Sequence, residues 1–279
     1  MSGKNIIENF KAPTYVLLLI SIPLLFHACS TTNLVILKSP GDKSIIDMIE
    51  GGRLYDNWWK ELERKKGPEI DNPLWKLQTT NKRKGSATWR CKECHGWDYK
   101  GRDGAYSTGS HKTGFPGILN NASLSLEDIE SILRGSTNPD HDFSNVLDPG
   151  SISKLAAFIK KGLIDLEEYI DYQNKKPFKV NARNGLFLYE TTKCAHCHGE
   201  KGTLTLEDKN ETLGIIANKN PWEFVHKTRF GQPGKIMPAF KIKLNITDER
   251  ERMPSGVEGG YSAQDLVDLL GYSRSLPAK

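Results

Sequence analysis

Two pentapeptides, Cys91-Lys92-Glu93-Cys94-His95 and Cys194-Ala195-His196-Cys197-His198, repeat the pattern Cys-x-x-Cys-His 103 residues apart. Two thiols three positions apart can add across the two vinyl groups of one porphyrin, while the imidazole that follows ligates its iron from the proximal side. Cys-x-x-Cys also occurs in zinc sites and in thioredoxin-like redox pairs. A zinc ribbon would bring its two cysteine pairs much closer together, and a thioredoxin-like motif would occur once, near a βαβ pattern that this chain lacks. The expectation is therefore two covalently bound haem c groups, attached at Cys91, Cys94, Cys194 and Cys197, with His95 and His198 as proximal iron ligands.

The rest of the composition agrees with an exported chain. Of the five cysteines, four belong to the two motifs, and Cys29 ends an apolar run, so nothing remains for a disulfide framework. Lys4 and Lys11 precede an apolar stretch at residues 12–26, followed by His27-Ala28-Cys29-Ser30, the layout of a secretory signal. The stretch is shorter than the roughly 20 residues a spanning helix prefers, and Pro23 interrupts it. It resembles a bacterial lipoprotein signal, residues 1–28, with Cys29 as the lipidated residue, although Phe26 and His27 are unusual neighbours for that cleavage. An uncleaved anchor and a plainly cleaved signal are the alternatives. All three put the bulk of the chain on the periplasmic side of a bacterial membrane, where c-type haem is attached. The net charge of +5 is mild. It falls to +4 when Lys4, Glu8 and Lys11 leave with residues 1–28, and haem propionates would lower it further, so nucleic-acid binding has no electrostatic support.

The two motifs sit in matching surroundings. Gly51-Gly52-Arg53-Leu54-Tyr55 precedes the first and Gly185-Leu186-Phe187-Leu188-Tyr189 the second, each a Gly-x-x-x-Tyr that opens an amphipathic helix. From Gly185 to Cys194 is 9 residues and from Gly51 to Cys91 is 40, so the first copy carries an insert of 31, roughly residues 58–88. After each motif come a loop, a helix (126–134 and 222–229), a glycine-bearing turn (135–143 and 231–240) and a last helix (152–161 and 263–275). Residues 163–178, with Asn174-Lys175-Lys176-Pro177, read as the connector.

This order of helix, motif, helix, ligand loop and helix resembles a class I cytochrome c domain, and the whole chain resembles a dihaem cytochrome c made of two. The resemblance covers residues 45–277 and implies an all-α fold of two tandem cytochrome c-like domains, 45–165 and 179–279, joined through 166–178. It also implies that first and last helices cross closely at Gly51 and Gly185, with Phe158 and Tyr272 filling the gap.

The sixth iron ligands follow from the turns. Met237, in Ile236-Met237-Pro238, lies 39 residues after His198 and resembles the family's distal Met-Pro pair. Its one rival is Met253, and the ordinary role of a methionine is to fill a core gap. The first copy has no methionine between His95 and Met237. From Gly231 to Met237 is six residues, and from Gly135 to His141 is also six, which makes His141 the expected distal ligand there. His111, 16 residues after His95 in a glycine-rich loop, is the competitor. A His/His site beside a His/Met site would pass electrons from the first to the second, because a thioether raises the reduction potential.

Trp58, Trp59, Trp75 and Trp89, interleaved with Lys65, Lys66, Lys82, Arg83 and Lys84, are expected to cover the first haem while the cations face water; a docking surface is the alternative. His196 and His226 read as structural or propionate-neighbouring. Arg90 and Lys92 read equally as propionate partners or solvated charges. Together these features imply an electron carrier between redox partner proteins, held at a membrane by lipid. The alternatives are a haem-dependent oxidoreductase with chemistry at the first haem and a haem subunit of a larger redox enzyme. A dihaem thiosulfate dehydrogenase would need a cysteine ligand, and none lies between Cys94 and Cys194; dihaem peroxidases are longer.

Overall fold

Most helices of this chain begin where a short polar side chain can take up the free N–H groups of the first turn, and the rest follows from which faces those helices bury. The computed structural model describes residues 40–205, 211–235, 237 and 262–278. It is mostly helical: α1 (Pro40–Glu61), α2 (Cys91–His95), α3 (Leu126–Leu133), α4 (Pro149–Lys161), α5 (Ala182–Thr191), α6 (Cys194–His198), α7 (Leu213–Lys219), α8 (Pro221–Phe230) and α9 (Ala263–Arg274). Ser125, Asp148, Asn181, Thr212, Asn220 and Ser262 each accept a backbone N–H from the first turn of the helix they precede. Such a cap stabilises by about 1 kcal/mol. Pro149 and Pro221 occupy the first helical position, where a missing N–H costs nothing, and Ser262 with Asp265 forms a reciprocal capping box.

α1 is broken at Asn57, whose backbone is extended (φ −157°, ψ 88°). The Asn57 carboxamide then accepts the Lys60 N–H at 3.2 Å, so the last turn restarts with its own cap. Trp58 and Trp59 are thereby turned inward at the head of the inserted segment. The insert is built from short 3₁₀ turns around indoles: Trp58 donates to the Trp89 carbonyl, Trp75 to that of Arg83 and Trp89 to that of Ile70, at 2.9 to 3.1 Å. All four tryptophans are buried, while Lys65, Lys66, Lys82, Arg83 and Lys84 are exposed.

Two close helix crossings organise the core. A Cβ on Gly51 would stand 2.0 Å from the Lys154 carbonyl oxygen and 2.7 Å from the Phe158 Cβ; one on Gly185 would stand 2.1 Å from the Asp268 oxygen and 2.7 Å from the Tyr272 Cβ. The expected glycine and aromatic pairs therefore meet, α1 against α4 and α5 against α9. Around the first crossing Leu54, Tyr55, Ile129, Leu133, Ile152, Leu155 and Phe158 are buried. Around the second lie Leu188, Tyr189, Trp222, Val225, Leu266 and Leu270.

The connector is not a solvated spacer. Leu166 and Ile170 are buried in the second core. A short antiparallel pair, β1 (Ile170–Asp171) with β2 (Lys176–Pro177), folds it back. Tyr172 packs on Trp222 with ring centroids 4.9 Å apart, and Asp165 pairs with Lys100 at 2.9 Å. The described residues form one compact unit. No helix among them is long and apolar enough to cross a membrane. The signal segment 1–28 and Cys29 lie outside the described residues, as does Met253.

Candidate cofactor sites

The first pentapeptide forms the single helical turn α2, which ends at Gly96 in a backbone conformation (φ 77°) that an L side chain resists. Tyr55 of α1 donates its hydroxyl to the Gly96 carbonyl at 2.5 Å, tying the first helix to the turn. The second pentapeptide repeats this arrangement: α6 ends at Gly199 (φ 77°), and Tyr189 of α5 donates to the Gly199 carbonyl at 2.5 Å. Gly135 and Gly231, matched by counting, also share positive φ, 81° and 86°. Local geometry thus recurs at the tyrosine, at the glycine after each motif and in the sign of φ at Gly135 and Gly231.

His95 points one ring nitrogen, Nδ1, at the Pro116 carbonyl, 2.8 Å away. An Nδ1–H donor there leaves Nε2 as the free lone pair, the tautomer a metal ligand needs. Burial, with His141 nearby, lowers the His95 pKa to about 4, so the ring is neutral at pH 7. His141 sits on the 3₁₀ turn Pro139–His141, which Asn138 caps by accepting the Asp140 N–H. Its ring packs on Phe143 and stands opposite His95, with centroids 6.2 Å apart and planes 78° to each other. Two metal–imidazole bonds of about 2 Å, plus roughly 1.1 Å from each nitrogen to its ring centre, give a separation of about 6.2 Å across one shared metal ion. The ring centres of the two candidate ligands of the first site are thus as far apart as one shared metal ion would set them. Burial also lowers the His141 pKa. His111, the competitor, is stacked on Tyr106 at 5.0 Å, with Nδ1 3.8 Å from a Glu93 oxygen.

Cys91 and Cys94 are free thiols, as are Cys194 and Cys197. Burial pushes the Cys91 thiol up to about 12 and raises Cys94 as well. In the second site burial raises Cys194, while Cys197 is exposed. His198 is half-buried, and burial lowers its pKa against a hydrogen bond with the Leu204 backbone. Met237 is half-buried; residues 236 and 238–261 around it lie outside the described residues.

Charged side chains brace the first motif from behind. Glu93 is fully buried and pairs with Lys92 at 2.6 Å and Arg83 at 2.8 Å, which docks the insert on the motif. Burial opposes its ionisation, but His111, Lys92, Arg83 and Arg90 together hold its pKa at about 2. Arg90 pairs with buried Asp56. Burial would raise the Asp56 pKa, and Arg90, Lys227 and Lys92 overcome it. Arg90 and Lys92 are therefore partnered by carboxylates of the protein itself.

Sequence reasoning missed the junction between the α1–α4 and α5–α9 groups. His226 of α8 is 1% exposed; Nε2 lies 2.9 Å from the Gly52 carbonyl and Nδ1 2.8 Å from the Tyr99 hydroxyl. A Cβ on Gly52 would strike the Phe230 ring at 2.4 Å. The adjacent glycines Gly51 and Gly52 thus let two different helices approach α1, a meaning that the pair alone does not disclose. Arg229 is 4% exposed; its Nε and Nη1 have no hydrogen-bond partner among the described residues, and its guanidinium lies over Phe230 at 4.7 Å. A buried cation of this kind calls for an anion beside it, and a carboxylate-bearing group would meet that need.

No cluster of three or more His, Cys, Asp or Glu side chains able to hold a metal ion occurs among the described residues. A porphyrin iron asks less of the protein, since four ligands come from the macrocycle and two from the chain. The two nearby imidazoles, the thiols and the open Nε–H and Nη1–H of Arg229 fit such a group. Comparison with protein-family models, with curated proteins and with solved structures returns no match to this chain.

Proposed function

We propose that this chain is an exported dihaem c-type cytochrome of two tandem cytochrome c-like domains that passes single electrons between redox partner proteins from the periplasmic side of a membrane, through a lipid on Cys29. The observation that carries the reading is the facing pair His95 and His141, 6.2 Å between ring centres, beside two thiols three residues apart. Haem, when bound, supplies reversible one-electron exchange at iron. Cys91 and Cys94, and Cys194 and Cys197, would hold it by thioether bonds. His95 and His141 would hold the iron of the first site, and His198 and Met237 that of the second. Pro116 fixes the His95 tautomer through its carbonyl, and Tyr55 and Tyr189 pin the two motif turns. The Met237 thioether would favour ferrous iron more than the His141 imidazole, which would direct electrons from the first site to the second.

The test is stoichiometry with covalency. A pyridine haemochrome assay after acid-organic extraction should return two haems per chain, and the double variant Cys194→Ala, Cys197→Ala should return one. One haem or none in the unmodified protein overturns the reading. A haem-dependent oxidoreductase, with chemistry at the first iron, predicts instead that its ferrous form binds carbon monoxide readily in the unmodified protein.

A further inference from the structure

The segment that leads to Met237 is fastened to α1. Arg53 donates Nη1–H to the Phe230 carbonyl at 3.3 Å and Nε–H to one oxygen of Glu61 at 2.7 Å. The other Glu61 oxygen accepts the Gly234 N–H at 3.3 Å. Gly234, with φ 64°, also rests against the end of α1, where a Cβ would stand 2.5 Å from the Lys60 carbonyl oxygen. Phe230 itself is fully buried in the first core. Both ends of the stretch 230–234 are therefore fastened to α1, and the second fastening lies three residues before Met237.

We propose that Arg53 and Glu61 are positioning residues for the sulfur ligand of the second site, so that the first helical group governs the sixth coordination of the second iron. An iron–thioether bond is weak, and a ligand on a turn holds only as well as the turn is held. The Arg53–Glu61 pair is largely shielded, with side chains 21% and 13% exposed. Its hydrogen bond to the Gly234 amide is charge-assisted, the stronger kind. The proposal rests on the dihaem reading and on Met237 as a ligand.

The experiment uses the full haem-loaded chain and three variants: Glu61→Ala, Glu61→Gln and, as control, the exposed Glu63→Ala. Two readouts are followed, hydrogen exchange at the Gly234 amide and the near-infrared sulfur-to-iron band with the potential of each haem. Glu61→Ala should speed Gly234 exchange about tenfold, weaken the band and lower the second haem's potential while the first is unchanged. Glu61→Gln, which keeps an acceptor of the same shape, should move both readouts in the same direction by less, and it remains informative should the alanine variant not fold. Glu63→Ala should move neither. A band present in the unmodified protein but indifferent to both Glu61 variants overturns the proposal alone, as does an equal response of both haems. A band absent from the unmodified protein overturns the Met237 assignment, and the proposal with it, while the haem count still stands.

Discussion

Acid should loosen this protein through His226, and the size of the effect can be worked from its surroundings. The ring is buried among Tyr55, Trp97, Tyr99, Phe158 and Phe230. In the neutral form with a proton on Nε2, it donates to the Gly52 carbonyl and accepts from Tyr99, so both nitrogens are satisfied. A second proton would have to sit on Nδ1 against the Tyr99 hydroxyl, in a region that also holds Arg229 and Lys227. Burial is the main cause that lowers its pKa to about 3, with those two cations adding and Asp56 opposing. A base whose pKa is lower in the folded state loses stability as pH falls, because below its ordinary value of 6.5 the unfolded chain takes up a proton and the folded chain does not. Between pH 7 and pH 5 this amounts to about 2 kcal/mol, levelling off only near the folded value. Urea unfolding followed by circular dichroism, at both pH values, on the unmodified protein and on His226→Gln isolates the contribution from other titrating groups. The variant starts less stable but should lose about 2 kcal/mol less over that interval. Equal losses in the two proteins would refute the assignment of a neutral, doubly hydrogen-bonded His226.

Gly51→Ala forces a methyl to within 2.0 Å of the Lys154 carbonyl and should destabilise by about 1–3 kcal/mol or more, read as a lower melting temperature. His141→Ala should let carbon monoxide bind the ferrous first haem, whereas His111→Ala should not; the reverse result would transfer the distal role to His111. Cys29→Ser should release the protein from membranes with its haem spectrum intact, and persistent attachment would point to an uncleaved apolar segment at 12–26.

The candidate cofactor residues were legible in the sequence because their requirements are local. Cys-x-x-Cys-His fits within one turn of helix, and six of the helices start at a capping side chain visible beside them. The count from Gly135 led to His141, whose ring centre lies 6.2 Å from that of His95, because a glycine with positive φ fixes the course of the few residues after it. The tryptophans and lysines of the insert divided between interior and water as their transfer energies dictate. What stayed hidden was every contact whose partners lie far apart along the chain. His226 meets Gly52 across 174 residues and Arg53 meets Phe230 across 177. Periodicity reports that a helix has an apolar face but not which helix will cover it, so α8 gave no sign that it closes on α1. The connector is the same case. Its Asn-Lys-Lys-Pro stretch describes a turn correctly, yet Leu166 and Ile170 are buried only because the second core leaves a place for them. Composition and spacing set the candidate ligands and the turns; the shapes of assembled surfaces, which no short stretch of sequence contains, decided how the two groups of helices lock together.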